Sequence, residues 1–312
     1  MAMDYGSSRL FALTLAHRAV GDVKKDGFRQ LRNYVDMCAV LAKSPMQSAF
    51  FERAQLMLEK TNSLYYSLID RMISTIEEDR LCTVGVNLGL GGLVYGAGRL
   101  KLKAEKDGRP FSWITTALAG DPGLPDAVAS AEKNGGYVWA LYAPDGLSDS
   151  LLQLAKKHPM GVFFVMLAPA QITDEVCGRI ARVNNLVPVL ILDAPEVNEA
   201  VFAAADAMRR ARLFYSFVLQ LDDATAMAAL QPEWLDVLFQ RGVIGVYSRK
   251  GGMDPVVSET LKKGIYRSRT ELGAPLVLLD WENDVAVLDQ HISPLAVPGS
   301  RVPAGVWTPL NG

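Results

Sequence analysis

Charged side chains follow most of the short apolar runs in the last two thirds of this 312-residue chain. If these runs are the strands of a βα barrel, the loops after them meet at one end of the barrel and the charged residues share one mouth. Carboxylates bind hard divalent cations and attract basic ligands. The sequence therefore predicts a candidate ligand-binding mouth, with no residue assigned a catalytic or metal-ligating role. Its members are Asp121, Asp145, Asp193, Asp222, Arg249, Lys250, Asp280 and Asp284.

The same residues have ordinary structural explanations. An aspartate between a strand and a helix commonly caps the helix, as Asp145, Asp193 and Asp223 are placed to do. An ion pair between Arg249 or Lys250 and the neighbouring acids needs no ligand either. Both explanations stay open beside the ligand-binding one.

Residues for zinc or nucleophilic chemistry are sparse. A hydrolase site built from several histidines is disfavoured because the chain has only three, and no Cys-x-x-Cys pair suggests a cysteine metal site. The chain also lacks a Gly-x-Ser-x-Gly elbow, so nucleophilic hydrolysis has no candidate. The histidines and cysteines are His17, His158, His291, Cys38, Cys82 and Cys177.

From residue 111 the apolar runs recur about every 25 to 30 residues, with amphipathic helical patterns between them. Continuous apolar strands alternating with helices are typical of a parallel sheet. Six or seven such units predict an α/β fold: a partial or full βα barrel of the TIM type, with its functional loops after the strands, including a loop over 280–284. The runs are FSWITTALAG, YVWALYAP, GVFFVMLAP, VPVLILDAP, LFYSFVLQLDD, GVIGVYSRKGG and PLVLLDWEND.

An α-helical region precedes this barrel. Residues 7–80 show helical periodicity, whereas 81–108 fit a helix or a strand equally well. The glycines of 81–108 form no clean phosphate-binding motif, so close helix packing is their favoured role. The predicted domains are a helical region over 1–108, a barrel over 109–291 and an extended Pro/Gly-rich tail over 292–312.

Composition narrows the function classes. The formal net charge is −2, so no overall field favours nucleic acid or an anionic membrane surface. No signal-peptide pattern opens the chain, and no run of about 18 uncharged apolar residues suggests a membrane span. We therefore expect a cytoplasmic protein whose partner is neither nucleic acid nor membrane.

The order of these segments resembles a radical S-adenosylmethionine (radical SAM) protein over roughly residues 80–290. The stretch SWITTALAGDP resembles the first barrel strand, which in that family runs into a cysteine-rich loop. The segments RGVIGVYSRKGGMDP and SRTELGAPLVLLDWENDV resemble the sixth strand and the closing segment. The resemblance implies a radical-SAM-like barrel, a [4Fe–4S] cluster and S-adenosylmethionine as cofactors.

The chain departs from the family at the residues that carry its chemistry. Three cysteines in CxxxCxxC spacing would hold the cluster, but ALAGDPGLPDAV passes from strand to helix without a cysteine. The second strand ends in Ala-Pro-Asp-Gly at 143–146 rather than a Gly-Gly-Glu-Pro-like motif. We therefore expect both cofactors to be lost, and a non-catalytic pseudoenzyme that acts as partner, regulator or scaffold of another protein. The alternative is a barrel that binds a small molecule or a divalent metal through its strand-end acids.

Overall fold

The computed structural model describes residues 5–42, 45–59, 63–196, 198–242, 244–270 and 276–292. Seven parallel strands form one sheet, and their order in the sheet is their order in the chain. The sheet curls into a half-barrel, which confirms the predicted α/β class and a partial rather than a full βα barrel. The strands are β1 (Ile114–Leu118), β2 (Val138–Tyr142), β3 (Val162–Leu167), β4 (Leu186–Leu192), β5 (Ser216–Leu221), β6 (Ile244–Arg249) and β7 (Val277–Asp280).

Helices precede the sheet, connect its strands and follow its last strand. The helical N-terminal region predicted from the sequence is present. The helices are α1 (Tyr5–Asp26), α2 (Phe28–Leu41), α3 (Pro45–Glu59), α4 (Leu64–Thr75), α5 (Glu78–Val86), α6 (Ala97–Asp107), α7 (Leu124–Lys133), α8 (Asp149–Lys157), α9 (Asp174–Ile180), α10 (Glu199–Arg210), α11 (Pro232–Arg241), α12 (Pro255–Thr270) and α13 (Trp281–Ile292).

Both faces of the sheet are buried, which explains why the strands read as continuous apolar runs. The convex face and helices α7–α12 form the largest core, in which Leu141, Phe163 and Leu190 are fully buried. The concave face forms a second apolar cluster that includes Ala140 and Val189. Alternate residues of each strand therefore serve two different cores.

The N-terminal helices pack beneath the sheet, where the strands begin. Leu68, Ile76 and Val84 of this region form one cluster with Val162 and Val187 at the starts of β3 and β4. This contact closes the lower end of the half-barrel with apolar side chains. The barrel and the helical region therefore share a core.

Residues 78–107 form one continuous helix, which decides the question that the sequence left open over 81–108. Its middle, Asn87–Gly96, is π-helical and joins α5 to α6. Gly92 fits against the indole of Trp113, since a Cβ there would lie 3.2 Å from the ring nitrogen. A Cβ at Gly96 would lie 2.5 Å from the carbonyl of Gly135. Close packing, the predicted role, therefore holds for Gly91, Gly92 and Gly96, whereas a Cβ at Gly89 or Gly98 would meet nothing within 4 Å.

This 30-residue helix is the one helix among the described residues that is long and apolar enough to cross a membrane. Its most apolar window has a mean hydropathy of 1.3, and 39% of that window is buried inside the protein. Helices in the cores of soluble proteins meet the same criterion. Here the helix buries Asn87, whose side chain donates hydrogen bonds to the carbonyls of Pro159 and Gly161.

Helix α13, hereafter the strap helix, crosses the concave face of the sheet. Trp281 and Val285 pack into the concave cluster. Near its other end, Asp289 accepts hydrogen bonds from the Ser112 hydroxyl and the Trp113 amide, just before β1. The strap helix thus connects the last strand to the first where no described strand closes the barrel.

The predictions for the C-terminal part of the chain concern a loop over 280–284 and a tail over 292–312. The predicted loop over 280–284 is wrong, because the strap helix begins at Trp281, directly after β7. The predicted tail over 292–312 lies, except for its first residue, outside the described residues. The proposed domain boundaries stay predictions.

Candidate functional site

The strongest charged cluster at the strand ends centres on Arg249, the last residue of β6. Its guanidinium donates two hydrogen bonds to Asp280, at 2.5 and 2.9 Å, and a third to Glu282 at 2.8 Å. Its Nε donates to the Ser258 hydroxyl of α12 at 2.8 Å. The Arg249 and Asp280 side chains are 8% and 2% exposed, so this is a buried ion pair. Arg249 is fully occupied by protein groups.

Burial and pairing act in opposite directions on the two acids of this cluster. Burial disfavours the charge of Asp280, but hydrogen bonds and charge from Arg249 outweigh it, so the pKa of Asp280 lies below its ordinary value. For Glu282 burial dominates and raises the pKa, despite the contacts with Arg249. The same arginine thus holds two acids whose pKa values are displaced in opposite directions.

The strap helix is held by the same acids. Asp280 accepts hydrogen bonds from the backbone amide and the side-chain amide of Asn283, in the first turn of the helix. Asp284 accepts a hydrogen bond of 2.8 Å from the backbone amide of Asp280 and forms an ion pair with Arg269 of α12. Arg249, Asp280 and Asp284 of the predicted mouth thus anchor a helix.

A second ion pair joins Asp222 to Lys250 at 3.0 Å. The Thr225 hydroxyl donates to Asp222 at 2.8 Å, and the Thr225 backbone amide donates at 3.0 Å. Hydrogen bonds from Thr225 and then from Lys250 lower the pKa of Asp222 to about 2. Arg249 and Lys250 are therefore both ion-paired with neighbouring acids, as one of the two structural explanations predicted.

The pKa of Asp222 is a direct check on this arrangement. We expect Thr225→Val and Lys250→Met each to raise it, because each variant removes a side-chain hydrogen bond that lowers the pKa. Carboxyl NMR titration of wild type and both variants measures the two shifts. In roughly 1 M salt, where charges are screened over about 3 Å, the effect of Lys250 should shrink more than that of Thr225. An unchanged pKa in either variant would contradict this arrangement.

The remaining members of the predicted mouth are exposed. Asp121 accepts the Gly123 amide at 2.7 Å and holds the turn between β1 and α7. Asp145 and Asp193 have no hydrogen bond or ion pair to the described residues. Their charges add to burial in raising the pKa of Tyr142, the last residue of β2. The predicted mouth thus divides into two ion-paired clusters, one turn and two free acids.

The predicted helix caps are wrong. Helix α8 is capped by the Ser148 hydroxyl, and α10 is capped by the Asn198 side chain, rather than by Asp145 and Asp193. Asp223 instead accepts a hydrogen bond from the backbone amide of Asp254, which lies between β6 and α12. In each case the strand-end acid lies too far before the helix to reach its first amides.

A cavity of about 250 Å³ lies between the concave face of the sheet and the strap helix; we call it the lumen cavity. The sheet contributes apolar side chains such as Ala140, Phe164 and Val189, and the strap helix contributes Trp281 and Val285. Asp280 and Asp284 also line the cavity, but their carboxylates are bound by Arg249, Asn283 and Arg269.

Two polar groups on the concave face lack a partner among the described residues. They are the hydroxyl of Ser248, which lines the cavity, and the amide nitrogen of Gln220. The two residues are register partners on β6 and β5, and they are 1% and 6% exposed. Gln220 shares the concave face with Val218, two residues earlier on β5. The indole nitrogen of Trp113, which also lines the cavity, is likewise unpartnered.

The sequence analysis missed these residues. Gln220 and Ser248 are polar residues just before the last residue of β5 and of β6, and both are buried. A polar side chain at a doubly buried strand position is the signal that could have identified them, since burying such a group is costly without a hydrogen bond.

The cysteines do not fit a [4Fe–4S] cluster. A cluster needs several thiolates within one site, whereas Cys38, Cys82 and Cys177 belong to α2, α5 and α9. Cys177 is fully buried in the convex core, and burial raises the pKa of its thiol to about 11. Among the described residues, no three His, Cys, Asp or Glu side chains are grouped to hold a metal ion.

Comparison with known proteins adds no relative. No protein-family model matches the chain, and none of the curated proteins matches it. The resemblance to radical SAM proteins therefore stays a prediction, and the function must be argued from the geometry.

Proposed function

We propose that this chain is a radical-SAM-like half-barrel without a cluster, and that it acts as a non-catalytic partner, regulator or scaffold of another protein. The observation that carries the proposal is the connection between β1 and α7. A five-residue turn over 119–123, held by Asp121, joins strand to helix where the resemblance would place a cysteine-rich loop.

The other strand ends support the same proposal. Arg249 and Asp280 neutralise each other, and Lys250 pairs with Asp222. Groups bound in this way are not poised to exchange protons with a substrate. The strand ends serve the attachment of the strap helix rather than a reaction.

Exposed apolar side chains on the N-terminal helices support the partner role. Leu10 and Phe11 of α1 are 66% and 61% exposed, and Val40 of α2 is 86% exposed. Apolar groups on the surface favour contacts with other proteins when they lie together. The partner role therefore falls to the helical region, and the barrel supports it.

Anaerobic reconstitution with iron and sulfide tests the non-catalytic part. We expect wild type to hold no more iron than a variant in which Cys38, Cys82 and Cys177 are all serine, and to cleave no S-adenosylmethionine. About four irons per chain above that control, with 5′-deoxyadenosine released, would overturn the proposal.

Copurification from the native source tests the partner part. We expect wild type to bring down a partner protein, and the variant Leu10→Gln/Phe11→Gln to lose that partner while its melting temperature stays the same.

A second candidate function, a barrel that binds a small molecule or a divalent metal, rests on different groups. Asp145 and Asp193 are the strand-end acids still free to act, and both affect Tyr142. Thermal shift with Mg²⁺, Mn²⁺ and Zn²⁺ tests the metal, because a ligand that binds the folded state raises its stability. A shift that disappears in Asp145→Asn/Asp193→Asn would favour this candidate over the first.

A further inference from the structure

The lumen cavity is large and apolar for a space inside a small barrel. Engineered apolar cavities of roughly 150 Å³ stay dry and take up benzene or xenon, and this one measures about 250 Å³. An empty space of this size leaves the surrounding side chains without packing partners and destabilises the protein. A bound molecule would restore those contacts.

Two unpartnered polar groups, that of Ser248 in the cavity wall and that of its register partner Gln220, indicate what the molecule must carry. The Ser248 hydroxyl can donate or accept a hydrogen bond, and the Gln220 amide nitrogen donates. Both are buried without a partner among the described residues. An unpartnered buried donor is rare in folded proteins and calls for an acceptor. A single hydroxyl or carbonyl oxygen between β5 and β6 would satisfy both.

The charges around the cavity exclude a charged ligand. Two carboxylates line the cavity, those of Asp280 and Asp284, and both are already paired with arginines, Arg249 and Arg269. An ionised ligand in the cavity would therefore be desolvated without a free counterion, which is strongly unfavourable.

We propose that the lumen cavity binds one small, uncharged molecule, with an apolar ring or chain against the sheet and the strap helix, and one hydroxyl or carbonyl oxygen at Ser248 and Gln220. This binding site shares Asp280 and Asp284 with the predicted mouth but takes its ligand on the concave face, and it goes beyond the partner role. It depends neither on a cluster nor on the presence of another protein.

Four probes of similar size test the proposal on the full chain: toluene, benzyl alcohol, benzamide and benzoate. We expect the three neutral probes to bind by isothermal titration and to raise the melting temperature, and benzoate to do neither. In Ser248→Ala/Gln220→Met, the affinity for benzyl alcohol should fall about tenfold, the loss expected for one or two hydrogen bonds, while that for toluene stays the same.

Two further variants keep the test specific. Ala140→Phe places a ring in the cavity and should abolish binding of all probes. If Ala140→Phe does not fold, Val218→Leu, a smaller change on the same wall, serves as the cavity-filling variant. Ser130→Ala, an exposed serine of α7, is the matched control and should bind like wild type. Without a ligand, Ser248→Ala should raise the melting temperature, because it removes an unpartnered buried hydroxyl.

Three results would overturn the proposal. The first is that no neutral probe binds wild type. The second is that a cavity-filling variant binds as well as wild type, which would place the probes elsewhere. The third is that Ser248→Ala lowers the melting temperature while no probe raises that of wild type, which would mean that the hydroxyl is satisfied by buried water alone.

Discussion

Arg80→Met is expected to lower the free energy of unfolding by about 3 kcal/mol or more. Arg80 is 1% exposed, and its guanidinium donates three hydrogen bonds of 3.0 Å to the carbonyls of Ile180, Val183 and Leu186. These carbonyls lie where α9 ends and β4 begins, and those of Ile180 and Val183 also accept the backbone amides of Val183 and Leu186, at 2.9 and 3.3 Å.

The physical cost comes from the acceptors that remain. Methionine fills much of the same space but removes the charged donor that all three buried carbonyls share. Burial already lowers the pKa of Arg80 to about 10, yet at neutral pH the side chain stays charged and its hydrogen bonds are correspondingly strong.

Urea unfolding measures the effect. The matched control is Arg179→Met, on the same α9, because the Arg179–Asp149 pair is exposed and should change stability by less than about 1 kcal/mol. Arg80→Lys should fall between wild type and Arg80→Met, and it provides a measurable value if Arg80→Met does not fold. A loss for Arg80→Met no greater than that of the control would show that the three carbonyls find other donors.

Asp280→Asn is expected to cost about 2 to 4 kcal/mol at pH 7, because it breaks a buried ion pair and leaves Arg249 with Glu282 as its remaining acidic partner. The variant also weakens the attachment of the strap helix, whose first turn Asp280 caps through Asn283. Amide hydrogen exchange should therefore quicken in the strap helix more than in α7, which makes no contact with this pair.

The cost should depend on pH in a defined direction. The pKa of Asp280 is lowered in the folded state, so its contribution is fully present above the unfolded pKa, about 3.9, and is lost as pH falls through the folded value. Glu282 acts in the opposite sense, because its raised pKa makes ionisation unfavourable to the folded state. The difference between wild type and Asp280→Asn should therefore shrink below about pH 4.

Urea unfolding at a series of pH values checks this dependence, with Asp149→Asn as an exposed control. The control should show little difference from wild type at any pH, since surface ion pairs contribute little. A pH-independent difference for Asp280→Asn would mean that the hydrogen bonds to Asn283, rather than the charge, hold the strap helix.

The sequence predicted the strands because the central ones, β2 to β5, are buried on both faces and so read as unbroken apolar runs. It could not predict the role of the charges after them, since an aspartate that binds a ligand, caps a helix or pairs with an arginine has the same local pattern. Asp280 is the clearest case. Its partner Arg249 is 31 residues away and meets it through the pairing of β6 with β7.

The lumen cavity was beyond sequence reasoning for a related reason. Its wall combines alternate residues of all the central strands with a helix that the pattern of PLVLLDWEND did not reveal. Gln220 and Ser248 become neighbours only when β5 and β6 align in register. Local periodicity indicates that a residue is buried, but not which empty space it faces.

The strap helix also has a consequence for how the chain is made. It follows all seven strands, and its Asp289 meets Trp113, 176 residues earlier. During synthesis from the N-terminus, the concave face therefore stays exposed to solvent until the ribosome has synthesised the strap helix. Contacts this distant in sequence form slowly, and exposed apolar surface on a nascent chain favours aggregation. A newly made half-barrel would thus be a natural client for chaperones until the strap helix docks.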